Sequence, residues 1–154
     1  MDSEAPRAAQ LATILVAEDD PDDRMMTAEA FQECRVGNPL QFVHDGEQLM
    51  DYLHARGCYA DAAAFPAPGL ILLDLNMPRK DGREALREIK SDPRLGRIPV
   101  VVLTTSRAER DVASSHRDGA DAVMAKPASF DGLVELVRSL GKTWLPPRGP
   151  EPDA

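Results

Sequence analysis

Residues 70–90 read LILLDLNMPRKDGREALREIK. Four apolar residues in a row, Leu70 to Leu73, predict a strand buried on both faces, because a strand with one wet face alternates. Asp74 stands at its carboxyl end. A helix over Asp81 to Lys90 follows, with Leu86 and Ile89 facing inward. A buried strand, a polar strand end and a helix form the unit from which parallel sheets are built.

The same unit recurs on both sides. Thr13 to Ala17 (TILVA) reads as a buried strand. Asp20 and Pro21 then supply a cap and a first helical residue for a helix to about Cys34. Met25, Ala28 and Phe31 are among its apolar positions. Gln41 to His44 is a short strand, and Gly46 to about Ala55 a helix with Leu49 and Leu53 one turn apart. Further on come a strand from Ile98 to Leu103 (IPVVVL) and a weak helix from Ala108 to Asp118, whose one large aliphatic is Val112. A strand from Ala122 to Ala125 and a strong helix from Phe130 to Leu140 complete the series. Strands apolar throughout, with helices between them, predict an α/β fold. It is doubly wound, (βα)5 and flavodoxin-like, with a central five-stranded parallel sheet and three layers.

Composition narrows the function. The 154 residues fit one ordinary domain. A formal net charge of -8 argues against nucleic acid, which demands a basic stripe, and against an anionic membrane surface. A bound cation or a cationic partner fits better. No apolar run approaches the roughly 20 residues of a membrane span. Met1 to Gln10 lacks the basic-then-apolar order of a secretory signal. Cys34 and Cys58 lack the spacing of a zinc site or redox motif and read as free thiols in a reducing cytoplasm. Residues 1–10 read as a flexible tail, 11–145 as the domain, and 146–154, with Pro146, Pro147, Pro150 and Pro152, as a disordered tail.

Ligands of such folds sit at the carboxyl ends of the strands. The first strand is followed there by Glu18, Asp19 and Asp20, the third by Asp74, the fourth by Thr104 and Thr105, and the fifth by Lys126 and Pro127. Two carboxylates about 4 Å apart repel by roughly 4 kcal/mol at an effective dielectric of about 20. One lysine offsets part of that. A divalent cation offsets the rest, and hard carboxylate oxygens suit Mg²⁺, which usually takes one or two carboxylates plus phosphate oxygens. A carboxylate can also attack phosphorus and become an aspartyl-phosphate. Mg²⁺, the Lys126 ammonium and the Thr104 hydroxyl would then each meet one phosphoryl oxygen. There is no Gly-rich phosphate loop, so a nucleotide is not the evident donor. Asp20 reads as a helix cap, and Asp22 and Asp23 as first-turn acids favoured by the helix dipole. His44, His54 and His116 read as surface groups.

The strings ILVAEDDPDDR, LILLDLNMPRKDGREALREIK and IPVVVLTTS, with the pair Lys126-Pro127, resemble the receiver domain of two-component response regulators over nearly the whole of 11–140. That resemblance implies Glu18 and Asp19 as an acidic pocket and Asp74 as the acceptor of phosphate from a phosphohistidine. It implies Mg²⁺ held by Asp19, Asp74 and the backbone carbonyl of Asn76, with Glu18 acting through water. Thr104 and Lys126 would hold the phosphoryl oxygens, with a cis Lys126-Pro127 peptide. Asn76 and Ser106 would tune dephosphorylation. The tract DDPDDR, the insert Arg56 to Pro68, NMPRKDGRE and LVRSLGKTWL are similar to small response regulators paired with phytochrome-type histidine kinases. They imply a photosensory kinase partner and a homodimer.

The expected function is a cytoplasmic phosphoacceptor switch. It turns over no outside substrate and relays its signal by protein contact or phosphotransfer, with no DNA-binding output domain. Two features qualify it. Many receivers carry an aromatic residue where this chain has Val123, so the aromatic readout cannot work in its usual form, and output shifts to the weak helix Ala108 to Asp118. Trp144, beyond Gly141, is expected to stand outside the packed helix as an interface anchor. The insert is expected to be a surface loop. The competing readings are a Mg²⁺-dependent phosphatase passing through an aspartyl-phosphate, and a pseudo-receiver. Haloacid-dehalogenase-like phosphatases want a second Asp where this chain has Asn76, and a pseudo-receiver would lose Asp74, Thr104 or Lys126.

Overall fold

The computed structural model describes residues 12–75, 82–104 and 115–144. The elements are β1 (Thr13–Ala17), α1 (Pro21–Glu33), β2 (Leu40–Val43), α2 (Gly46–Leu53), β3 (Pro68–Asp74), α3 (Gly82–Ser91), β4 (Val100–Thr104), β5 (Ala122–Ala125) and α4 (Phe130–Thr143). The five strands form one sheet in the order β2-β1-β3-β4-β5, and every pairing is parallel. The doubly wound, five-stranded flavodoxin-like fold is therefore present.

Burial explains why the central strands read as apolar runs. Alternate residues of β1, β3 and β4 face two separate cores. Ile14, Val16, Leu70, Leu72, Val101 and Leu103 pack with Phe31 of α1 and Leu133, Val137 and Leu140 of α4. Leu15, Ala17, Ile71, Leu73, Val100 and Val102 pack with Leu49 and Leu53 of α2 and Leu86 and Ile89 of α3. Both faces are dry along the middle of these strands, so polar residues are confined to their ends. Each side chain fully buried this way contributes about 1.5–3 kcal/mol. The edge strands β2 and β5 are only partly buried.

Three expectations need correction. Met25 is not a core position: it is 60% exposed, and α1 buries Thr27, Ala30 and Phe31. The face of α1 is set by its packing on α4, not by where its methionines fall. Trp144 does not stand free. The helix continues through Gly141 to Thr143, and Trp144 is half-buried against the core shared with α1. A mid-helix glycine costs about 1 kcal/mol, which the apolar stripe Leu133, Val134, Val137 and Leu140 outweighs. The insert lies at the surface as expected, with residues 60–64 exposed, and aromatic packing pins it. Tyr52, Tyr59 and Phe65 form an aromatic trio with centroids 5.0–5.9 Å apart, Phe65 meeting both tyrosines edge-to-face and the two tyrosines tilted at 47°. The Tyr52 hydroxyl donates to the Pro66 carbonyl at 2.8 Å, burial pushes its pKa up to about 12, and β3 starts as early as Pro68. Finally, the Lys126-Pro127 peptide is trans. The trans form is the lower-energy one even before proline, and the long lysine stem reaches its partners without the cis turn.

The helix expected over Ala108 to Asp118 lies mostly outside the described residues, and 115–117 is helical. Asn76, Thr105, Ser106 and both tails also lie outside. Val123 sits on β5, partly buried against the α2–α3 core. Cys34 and Cys58 are free thiols. No helix among the described residues is long and apolar enough to cross a membrane.

Candidate functional site

Strand register builds the site. Ala17 pairs with Leu73, so Glu18 falls beside Asp74 one residue on. Asp74 pairs with Leu103, and Thr104 is next. Thr104 pairs with Ala125, and Lys126 is next. β5 lies two strands from β3, about 10 Å at 4.8 Å per strand, so only a long side chain from β5 can reach Asp74.

Lys126 makes that reach. Its Nζ lies 2.7 Å from Glu18 Oε1, 3.0 Å from Asp74 Oδ2 and 3.0 Å from Asp23 Oδ2. Carboxylate oxygens of Glu18, Asp19 and Asp74 all fall within 4.8 Å of one another. Glu18 and Asp74 are each 4% exposed and Asp19 is exposed. At that spacing each carboxylate pair repels by about 3 kcal/mol at a dielectric of about 20, and a single ammonium cannot cancel it all.

The loop from β1 to α1 is fastened from three directions. Asp20 caps α1, its Oδ1 accepting from the backbone N–H of Asp22 at 2.8 Å and of Asp23 at 3.3 Å. The Asp20 N–H donates to Glu18 Oε2 at 3.1 Å. Arg24 Nη1 donates to the carbonyls of Glu18 at 3.0 Å and Asp19 at 3.1 Å. A cavity of 20 Å³ opens between α1 and α4, with Glu18, Asp23 and Lys126 at one end and Phe31, Leu72 and Val137 on its apolar wall. It has room for about one water.

Burial pushes the Glu18 carboxyl above its ordinary range. Hydrogen bonds from Lys126 and the Asp20 N–H oppose this, and Asp74 adds to it. Burial would lower Lys126, but its hydrogen bonds to Glu18, Asp23 and Asp74 outweigh that and hold the ammonium above the usual lysine value. A raised acid stabilises the fold below its unfolded pKa and loses that contribution as pH climbs through the folded value. Metal-free wild type should therefore lose stability relative to Glu18→Gln as pH rises from about the ordinary 4.5 toward neutrality. Urea melts in chelator across that range measure it, and a pH-independent difference would refute it.

The donor set suits a hard divalent cation. Oxygens on opposite sides of Mg²⁺, at about 2.1 Å each, lie about 4.2 Å apart, so a spread of 4.8 Å closes with small rotations. Asp19 and Asp74 would hold the ion, with Glu18 beside them acting through water.

Of the residues expected from sequence, Glu18, Asp19, Asp74 and Lys126 come together, Thr104 stands at the adjoining strand end, and Asn76 lies outside the described residues. Asp23 was read only as a helix-dipole acid, yet it reaches Lys126. Arg24 carried no assigned role. Gly82 was also missed: a Cβ there would meet Leu75 Cα at 2.7 Å and the Asp74 carbonyl at 2.8 Å. Gly82→Ala should destabilise by about 1–3 kcal/mol through overpacking, since backbone atoms cannot step aside. Denaturant melts test this, and wild-type stability would count against it.

A parallel five-stranded sheet with an acidic cluster and a lysine at its carboxyl edge defines a class, and residues 14–138 match the family described as the response regulator receiver domain. The chain belongs to that family. It is 40% identical over 132 residues to the response regulator Rcp1 of Synechocystis sp., spanning 86% of this chain and 88% of Rcp1. It resembles the phosphorylated cyanobacterial phytochrome response regulator RcpA at 42% identity and a TM-score of 0.80, over 87% of this chain and 94% of RcpA. The Mn²⁺-bound form of Rcp1 is similar at 39% identity and a TM-score of 0.78, over 88% of this chain and 96% of that one. Receivers are phosphoacceptor signalling domains, and phosphorylation with a divalent metal is a general property of the family.

Proposed function

We propose that this protein is a phosphorylation switch in which Asp74 accepts a phosphoryl group, with Mg²⁺ held by Asp19, Asp74 and the carbonyl of Asn76 and assisted by Glu18 through water. The observation that carries the reading is the Lys126 ammonium 3.0 Å from Asp74, beside three carboxylates gathered within 4.8 Å.

The chemistry is a single displacement. An Asp74 carboxylate oxygen attacks phosphorus of a phosphohistidine. The P–O bond forms as the P–N bond breaks, and the electron pair returns to the imidazole, which takes up a proton. Lys126 and Thr104 donate to phosphoryl oxygens as charge gathers there. Mg²⁺, when bound, supplies further neutralisation of the same oxygens. Asp74 is then regenerated by hydrolysis, so the protein dephosphorylates itself and turns over no outside substrate.

The similarity to Rcp1 and RcpA supports a sensor histidine kinase partner of the phytochrome type. The reading includes a homodimer, relay by protein contact or phosphotransfer, and a cytoplasmic site of action. Incubation with Mg²⁺ and a small phosphodonor tests the core of it. One acid-stable, base-labile phosphate per chain is expected. Multiple turnover of a phosphate ester would favour the phosphatase reading instead.

A further inference from the structure

We infer that Asp23 is a positioning residue for phosphoryl transfer, acting through Lys126; this rests on the reading of Asp74 as phosphoacceptor. An ammonium has three donors and no acceptor. All three are matched here, to Glu18 at 2.7 Å and to Asp23 and Asp74 at 3.0 Å each. The partners come from three elements: the end of β1, the first turn of α1 and the end of β3.

This arrangement has a consequence for the reaction. When an Asp74 oxygen becomes esterified it loses charge, and the donor it held passes to a phosphoryl oxygen on the same atom group. Glu18 and Asp23 remain. Two fixed anchors define where the third N–H points, whereas one anchor leaves a flexible four-carbon stem free to swing. Preorganised donors act on the transition state without reorganising. Asp23 is itself fixed, because its backbone N–H is tied to the Asp20 cap at 3.3 Å and it sits in a helix packed on α4. Asp22, one residue earlier and exposed, carries the same charge in the same helical turn and serves as the control.

The test measures phosphorylation rates with phosphoramidate at saturating Mg²⁺, together with melting temperature and Mg²⁺ affinity. Asp23→Ala and Asp23→Asn should slow the wild-type reaction about tenfold, within the coupling of residues in direct contact, with Mg²⁺ affinity changed far less. Asp23→Glu should recover part of the rate. Asp22→Asn should match wild type. In a Lys126→Ala background, Asp23→Ala should add no further loss, because the effect runs through the ammonium. Wild-type rates in Asp23→Ala, equal slowing in Asp22→Asn, or losses that multiply in the Lys126→Ala background would each overturn the inference while leaving Asp74 as acceptor. A wild-type protein that takes no label would overturn both.

Discussion

Asp74→Asn is expected to take up no base-labile phosphate from any donor, and to respond less to Mg²⁺. The amide keeps the size of the side chain and can still accept from Lys126, so the strand end and its neighbours should stay in place. What disappears is the nucleophile. An amide oxygen does not capture a phosphoryl group at neutral pH, and no second carboxylate stands on β3 to replace it: Leu73 and Leu75 are buried apolar residues. The metal effect follows from charge. Removing one of three carboxylates within 4.8 Å takes away a hard anionic ligand. A tenfold weaker affinity lowers the stabilisation at a fixed saturating Mg²⁺ concentration by about 1.4 kcal/mol. Thermal melts with and without Mg²⁺ would register this as a smaller shift than in wild type. A variant that still carries base-labile phosphate would remove Asp74 as acceptor, and one that melts with the full wild-type Mg²⁺ shift would remove it as metal ligand.

Lys126→Ala should have the next largest effect, and on two quantities at once. Two of the acids it pairs, Glu18 and Asp74, are each 4% exposed, and breaking a buried ion pair from one side costs about 3–5 kcal/mol because the remaining charge has no partner. Metal-free protein should therefore be destabilised by about 3 kcal/mol, and Mg²⁺ should restore much of the loss, since the ion takes over part of the neutralisation. Phosphorylation does not recover in the same way. The missing donor was aimed at charge that develops only during transfer, and loss of one such donor slows reactions about 10²–10³-fold. Chemical denaturation in chelator and in Mg²⁺, with a labelling time course, separates the two effects. Metal-free stability equal to wild type would mean that the acids do not depend on this lysine.

Much of this was legible in the chain itself, for reasons that mark where reading stops. TILVA, LILL and VVVL lie on strands with a dry core on each face, so alternation vanishes and an unbroken apolar run remains. An apolar run marks a strand's middle better than its ends: β2, β3 and β4 begin or end one or two residues from where the runs place them. Glu18, Asp19, Asp74 and Lys126 were found because each sits one step beyond an apolar run, where parallel register alone aligns them. Asp23 lacks that cue. Its contact with Lys126 spans more than a hundred positions and depends on the rotation of α1, which α4 sets. The same rotation turned Met25 outward and Thr27 inward. Gly82 looked like an ordinary helix start, because the close approach of β3's end is visible only in three dimensions. Trp144 departs from its sequence cue because a lone glycine signals a helix stop, while the packed stripe before it carries the helix on.

The most direct test of the central claim is to locate the phosphate. Wild-type protein treated with Mg²⁺ and phosphoramidate, trapped by borohydride reduction and digested, should yield one modified peptide, with homoserine at position 74 and none in chelator. Modification of a serine, threonine or histidine instead, or labelling that is equal without metal, would contradict the account.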